Sequence, residues 1–518
     1  MSIVMSPEKN EKKSETSLKS GSLMKDLSAS LVVFLVALPL CMGIALASGM
    51  PPAAGLVTGI IGGLVVGFIA GQPLQVSGPA AGLAVIVFEL VREHGAASLG
   101  PILMIAGAVQ LVAGLLKTGR WFRAISPEVI HGMLAGIGVL IVIQQFHVVL
   151  DRSPEHSGPA NIMAMWGAVF GGVFPLNGSK EESAALVGLV TMAVMILWER
   201  FRPAKLRLVP GALLGIGVAT TMAQLMGMNV NRVKVPENLM QMISLPSMSS
   251  IEGLSLSTMV GTALALAFIA SAETLLSAAA VDQMQTRAKT DYDRELAAQG
   301  VGNMLCGLVG ALPMTGVIVR SSANVQAGAE TRKSAILHGV WMLLAVVAFA
   351  SVLRMIPTAS LAAVLIFVGI RLVKPADVKK LARFGKFPVL IYFASMLTIV
   401  ATDLLTGVMV GVGLSLMRLL YTVTHLETHI EEQEGETHVH LLGVATFLAI
   451  PRIAHALDAV KTEKAVHIHC AHLRYIDHAC IEVIESWAER REENGQEIHV
   501  SMEKLHMRYR ARVSETVT

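Results

Sequence analysis

Charged and aromatic side chains are what this sequence has least of. Only 15% of its 518 residues are Asp, Glu, Lys or Arg, and only 5% are Phe, Trp or Tyr, whereas 53% are apolar. Mean hydropathy is +0.61. A water-soluble chain of this length needs a larger charged surface, so that class is excluded. Cysteine is scarce too. Cys41, Cys306, Cys470 and Cys480 are too few and too scattered for a disulfide framework. His467, His469, His472 and His478 crowd one region, but no Cys-x-x-Cys or His-x-x-x-His motif falls among them, so no metal is expected there. No pattern points to a covalent enzyme mechanism or to a cofactor. The net charge of +3 gives no sign of a nucleic-acid partner.

What is abundant is glycine, at 46 residues, and long apolar runs. Small residues let membrane helices approach closely. Apolar segments fall at 27–48, 52–70, 76–91, 100–117, 125–148, 184–199, 208–227, 256–280, 296–311, 316–328, 334–353, 358–373, 386–402 and 404–424, fourteen in all. Several of these are long enough to cross a bilayer. Residues 76–91 and 316–328 are too short to cross alone, and each is the third segment of its set of seven. Paired short, Gly/Pro-interrupted segments indicate two halves with broken helices. An odd number of spans per half makes the halves inverted. Pro127 and Pro357 open the fifth and twelfth segments as a faint echo of that repeat.

Residues 1–24 form a polar, Lys-rich tail expected on the cytosolic side, and 25–424 form the membrane domain. With the N-terminus inside, inner loops carry Lys117, Arg120 and Arg123; Arg200, Arg202, Lys205 and Arg207; Arg287, Lys289 and Arg294; Arg332 and Lys333; and Lys374, Lys379, Lys380, Arg383 and Lys386. The outer loops 149–183 and 228–255 are poorer in basic residues, as the positive-inside rule requires. After about residue 425 the composition changes, and 430–518 reads as a separate domain. Residues 438–449, 465–470 and 497–502 read as strands, 451–461 and 480–494 as helices. That alternation implies a small cytosolic α/β domain.

Two stretches could carry chemistry. Residues 75–82 read QVSGPAAG, with Ser77 and Gly78 before Pro79, a favoured first residue of a helix. Residues 313–328 read PMTGVIVRSSANVQAG and place Arg320, Ser321 and Ser322 at membrane depth. Ionisable residues there are expensive and usually face a substrate path. A helix that starts mid-membrane offers free N–H groups and a positive dipole end to an anion. Glu273, in ASAETLLS, is the acidic residue inside segment 256–280, with Ser277 one turn on. A carboxylate so placed suits binding of a proton or cation, or a structural pair with Arg320. Glu89 reads as interfacial, Asp403 as solvated, and His131 and His147 as helix-packing or interfacial residues.

Together these pieces resemble the SulP inorganic-anion transporters, the family of sulfate permeases, bicarbonate transporters and prestin. The matching stretches are LPLCMGIALASGMPPAAGL at 38–56, QVSGP at 75–79, DRELAAQGVGN at 293–303 and RSSANVQAGAET at 320–331. The tail resembles the family's STAS domain, with YIDHAC at 475–480. The resemblance implies a seven-plus-seven inverted repeat split into core and gate domains, an elevator-like motion and a homodimer. It implies an anion between the third and tenth helix starts, beside Ser77, Gly78, Pro79 and Ala80 on one side and Gly316, Val317, Arg320 and Ser321 on the other. Leu40 and Ile44 of the first helix would flank it, where many animal members carry a glutamine and an aromatic. Glu273 and Ser277 would hold the coupling ion. Glu273 stands where sodium-dependent members tend to have aspartate, and Val317, Ile318 and Val319 offer no hydroxyl, which favours a proton over sodium. His478 and Ala479 replace the phosphorylatable residue of related STAS loops. The expectation is secondary transport of bicarbonate first, sulfate second, in a bacterial inner membrane. An anion channel or STAS-linked sensor is the alternative.

Overall fold

The computed structural model describes residues 8–500 except 120–125, 156, 173–177, 204–205, 207–208, 235–242, 244, 247–254, 287–288, 434–435, 461–464 and 471–472. Arg120, Arg123, Lys205, Arg207, Arg287 and His472 lie outside the described residues. The chain forms two units, 1–412 and 413–518.

The first unit opens with α1 (Glu8–Ala47), α2 (Pro52–Ile61), a π-helical turn (Gly62–Val66) and α3 (Gly67–Ile69). Strand β1 (Ser77–Pro79) leads into α4 (Ala81–His94), followed by α5 (Leu99–Leu115), α6 (Pro127–Val149), α7 (Gly158–Gly172), α8 (Lys180–Phe201) and α9 (Gly211–Leu225). Then come α10 (Leu256–Met284), α11 (Tyr292–Leu308), strand β2 (Met314–Gly316), α12 (Ile318–Gln326), α13 (Lys333–Ala348) and α14 (Ala350–Leu353). The bundle ends with α15 (Thr358–Leu372), α16 (Pro375–Ala382), α17 (Lys386–Ala401) and α18 (Leu404–Thr424), the last running into the second unit. Each of the fourteen apolar segments falls on this helical framework, and eight described helices are long and apolar enough to cross a membrane. The protein is a multi-pass membrane protein.

Two helices fall where loops were expected. α7 occupies part of 149–183, and α16 lies in the basic stretch after α15. The apolar face of α7, with Trp166 and Phe170 exposed, is short and broken by Gly167 and Gly171, so hydropathy alone reads it as loop. His131 Nδ1 meets Asp377 of α16 at 3.1 Å, and His147 Nε2 meets the Asn161 carbonyl at 3.0 Å. Both histidines serve helix packing, as their positions implied.

The packing repeats when each segment is exchanged for its counterpart in the other half. α5 packs on α11, and its counterpart α13 packs on α2 and the π turn. Both seams are built on glycine. A Cβ at Gly107 would press on the backbone of Gly300 and Met304, and one at Gly63 on the backbone of Gly339. Likewise α1 packs on α13 while α10 packs on α5, and α8 on α15 while α17 packs on α6. The elements that meet their own counterparts are α6 with α15 and β1 with β2. This is the contact pattern of an inverted repeat.

The second unit is a small α/β layer. Its strands are β3 (Leu426–Gln433), β4 (Glu436–Ala445), β5 (Val466–His469), β6 (Leu473–Ile476) and β7 (Ile498–Val500), with helices α19 (Ile450–Asp458) and α20 (His478–Glu493). The order is β3-β4-β5-β7, with β6 pairing β4; β3 is antiparallel to β4 and the other pairs are parallel. Strands β3 and β6 were not anticipated. β3 is Glu-rich, as suits an edge, and β6 has four residues, too few for a period-two signal. The third strand expected at 497–502 is described only as Ile498–Val500. Val439 and Leu441 of β4 face the core with Ile453, Ile468, Ile484 and Trp487.

Alternation then turns the histidines to the other face, where they stack in register across three strands. His438 lies over His467 (ring centroids 4.9 Å apart) and His440 over His469 (4.5 Å), and His467 meets His499 (4.5 Å). His438 Nδ1 and His469 Nε2 share a hydrogen bond of 2.9 Å. No cluster of three metal-ligating residues occurs among the described residues. Burial, then the neighbouring His440, His438 and His467, hold the His469 imidazole below its ordinary pKa. His469 therefore binds a proton less readily in the folded chain than in the unfolded one. Its contribution to stability is full above the ordinary imidazole value of about 6.5 and is lost as pH falls below it. We expect amide-exchange protection of β4 and β5 in the intact protein to drop between about pH 7 and pH 5, and His469→Gln to flatten that drop. Protection that is constant over this range would refute the reading.

Candidate functional site

A chain break at membrane depth leaves backbone groups that no water can satisfy, so they must pair within the protein. Here β1 and β2 pair with each other, antiparallel, with Ser77 opposite Gly316, Gly78 opposite Thr315 and Pro79 opposite Met314. Each strand is followed within two residues by a helix, α4 or α12, and neither start carries a side-chain cap. Two uncapped helix N-termini therefore converge on one strand pair, each with free N–H groups and a positive dipole end.

Side chains from neighbouring helices hold the pair in place. Gln299 of α11 donates to Ser77 Oγ (2.6 Å) and to Glu295 Oε1 (3.0 Å). Asn303 brackets Met314, its Oδ1 accepting from the Met314 N–H (2.7 Å) and its Nδ2 donating to the Met314 carbonyl (3.1 Å). Gln75 Nε2 donates to the Thr274 carbonyl (3.2 Å), and the Gly316 N–H donates to Thr274 Oγ1 (3.1 Å). Ser321 Oγ accepts from the Val76 N–H (3.0 Å) and donates to the Val317 carbonyl (2.8 Å), stitching β1 to α12. The Val317 N–H in turn donates to the Val76 carbonyl (2.9 Å).

Arg320, in the first turn of α12, is fully buried. Its Nη2 donates to the Pro79 carbonyl at 3.3 Å, whereas Nε and Nη1 have no partner. The Cys41 thiol and the buried His338 are its neighbours. A Cβ at Gly78 would collide with Nη1, so glycine there is what lets the guanidinium reach β1. Glu273 of α10 lies beside α4 and β2. A Cβ at Gly82 would strike its Oε1, and Thr315 hydrogen-bonds its carboxyl, while Oε2 has no partner. Ser277 Oγ, buried one turn on, also has none. Glu273 and Arg320 thus keep separate neighbours instead of forming the structural ion pair that was one reading of the sequence.

The structure brings together Gly78, Pro79, Ala80, Gly316, Val317 and Arg320, with Leu40 and Ile44 buried in the same apolar cluster as Ala80. Val317 is partly exposed, and Ile318 and Val319 are exposed on the open side of α12. The hydroxyls of Ser77 and Ser321 are engaged by Gln299, Val76 and Val317. They shape the strand pair. Sequence reasoning gave no individual role to Gln75, Thr274, Gln299, Asn303, Thr315, Cys41 or His338, although all but His338 fall inside stretches it singled out.

Gly316 is not a free wall of the site. A Cβ there would overlap the Gln75 side chain, so Gly316→Leu should break the Gln75–Thr274 bond and lower stability as well as block access. Gly78→Ala is the cleaner probe. We expect it to displace Arg320 and to weaken anion binding as strongly as removal of the guanidinium would, while leaving the melting temperature close to that of the parent. Unaltered binding by a folded Gly78→Ala protein would show that the guanidinium position does not matter.

A profile of the sulfate permease family matches residues 23–395. Among curated proteins, the putative sulfate transporter YvdB of Bacillus subtilis is 30% identical over 69% of this chain. The bicarbonate transporter BicA of Picosynechococcus sp. is 25% identical over 72%. The chain spans 66% of the length of each. Among solved structures, the transmembrane domain of a cyanobacterial bicarbonate transporter BicA superposes with TM-score 0.66 at 24% identity, covering 76% of this chain and 98% of that one. The murine Slc26a9 anion transporter in its inward-facing state gives TM-score 0.76 at 16% identity, covering 92% and 84%. With the paired helix starts and the inverted-repeat packing, the profile match over most of the membrane unit shows that this chain belongs to the sulfate permease family.

Proposed function

We propose that the chain is a secondary transporter of a small inorganic anion, with bicarbonate the first candidate and sulfate the second. The observation that carries this is the buried guanidinium of Arg320, with two free nitrogens between two uncapped helix starts. A fixed cation in a low-dielectric site is costly without a counter-charge, and a small anion supplies one. The similarity to transporters named for sulfate and for bicarbonate agrees with that chemistry. On this reading the protein sits in a bacterial inner membrane as a homodimer. Its N-terminus and its C-terminal unit, a STAS domain from about residue 430, are cytoplasmic. The core carries the anion across by an elevator-like movement past the gate.

Glu273 would couple transport to a proton. It lies one strand pair away from the anion, with one carboxylate oxygen unpartnered. Sodium is the second reading, favoured by the unpartnered Ser277 hydroxyl and by the Thr315 hydroxyl, which lies beside Glu273 although residues 317–319 carry none.

Uptake of labelled bicarbonate, sulfate and fumarate into proteoliposomes, measured side by side, tests the main reading. Saturation supports a carrier, whereas current proportional to driving force would mean a channel. We expect Arg320→Ala to abolish uptake and Arg320→Lys to keep part of it, since lysine retains the charge without the planar fork. Normal uptake by the alanine variant would refute the assignment. Acidifying the outside should accelerate uptake without sodium. Glu273→Gln, which mimics the protonated form, should still exchange anion yet lose accumulation driven by a pH gradient. Strict sodium dependence with no response to pH would establish the second reading instead.

A further inference from the structure

One end of the bundle gathers cations that the Arg320 site does not use. The turn between α1 and α2, the end of α6 and the start of α15 enclose an open cavity of about 900 Å³. Arg152, Arg232 and Lys234 line it, and Asp151 is its acidic lining residue. Asp151 is already matched. Lys180 Nζ lies 3.1 Å from its Oδ2, and Asn231 Nδ2 donates to its Oδ1 at 2.6 Å. The three lining cations have no carboxylate partner among the described residues. Arg232 is fixed in place by a backbone bridge to Pro357 and by a 3.2 Å bond from Nη2 to Gln224 Oε1.

The sidedness follows from the helix ends. The cavity lies where α1 and α6 finish and α15 starts, opposite the end that carries Lys25, Lys374, Lys379 and Lys380. Basic loops mark the inside, so the cavity opens outward. The outer loops are poor in Lys and Arg, yet three of those they have converge on one concavity. Concave sites of one charge sign with low-dielectric walls focus the field and raise the local counter-ion concentration.

We propose that Arg152, Arg232 and Lys234 form an outer capture site for small oxyanions, which collects the anion before it reaches Arg320. The inference rests on the transport reading for its purpose, but not for its test. A lipid phosphate has the same chemistry, and the experiment separates the two sources.

Full-length protein is reconstituted in phosphatidylcholine vesicles, and uptake of labelled bicarbonate and sulfate is measured at low and high ionic strength. Neutralising the cations with Arg152→Gln plus Lys234→Gln should raise KM about tenfold at low salt with kcat unchanged, and the difference should shrink at high salt. Lys234 is exposed, so Lys234→Gln alone gives a smaller rise without a folding risk. Arg232→Lys should keep the parental KM. A readout independent of transport comes from Ser153→Cys, at an exposed lining position. The ratio of its reaction rates with an anionic and a cationic thiol reagent should fall about tenfold when Arg152 and Lys234 are neutralised. An unchanged ratio, or a KM effect seen only when anionic lipid is present, overturns the capture site. If the ratio responds while no anion is taken up, the capture site stands and the transport reading fails.

Discussion

The pairing of β1 with β2 is the constraint on which the rest of the bundle depends. Two helices that begin at membrane depth expose backbone groups where no water can reach them, and a strand pair is the shortest way to satisfy both breaks at once. Because each strand belongs to a different half, the same hydrogen bonds also tie the two repeats together. The polar side chains of the first unit make sense around that pair. Gln299, Asn303, Thr274 and Ser321 would be costly in an apolar bundle, and each is used to hold a strand residue or a strand-to-helix junction. The strands are three residues long, so little tolerance remains. Glycine at 78, 82 and 316 lets Arg320, Glu273 and Gln75 lie directly against the backbone.

Arg320 and Glu273 both lie against the region of this pair, and each faces its own neighbours. Burying an unpaired ion costs several kcal/mol even after relaxation, so neither charge is explained by packing alone. An anion beside Arg320 and a proton or cation on Glu273 would relieve both costs. On the proposed reading, neutralising one charge would also lessen its attraction for the other and so favour binding there. This would couple the two ligands, on that reading, without a direct contact between them.

Much of the membrane fold was legible in sequence because bilayer crossing demands length and hydropathy together. The broken third and tenth segments were legible as well, since Ser77-Gly78-Pro79 and Gly316 through Arg320 interrupt apolar runs with chemistry that lipid excludes. The pairing of those breaks was not, because no periodic signal connects residue 77 to residue 316. Nor was the supporting set legible. Thr315 and Gln75 look like ordinary loop residues until the strands form, and Asn303 and Gln299 look like polar residues of a conventional helix. α7 was missed for the opposite reason. Its apolar residues are real, but glycine and a short length hid them. In the second unit, β4 and β5 announced themselves by alternation, whereas the Glu-rich edge β3 did not.

The distribution of bond types across the first unit bears on how it could move. Polar bonds knit the helices around the strand pair to one another: Asn303 to Gln110, Gln110 to Ser271, Trp341 to Ser30, and Thr58 to Leu312. Glycine seams bring α5 to α11 and the π turn to α13 at backbone contact, so this group is tightly interlocked. The helices around α6 and α15 are knit in the same manner, with Thr191 bonded to Ser360, Glu199 to Arg371 and Gly138 pressed on Gly369. Where α1 meets α15 the character changes. Leu40 and Ile44 share an apolar cluster with Leu361 and Leu365, and Gly43 lies against Leu365. Directional bonds resist sliding because each must break before another forms. Apolar contacts exchange one partner for another at little cost so long as the surface stays covered. The proposed elevator-like motion calls for such an apolar surface between two internally bonded groups of helices. On that view the aliphatic Leu40 and Ile44 serve the movement more than the chemistry of the anion.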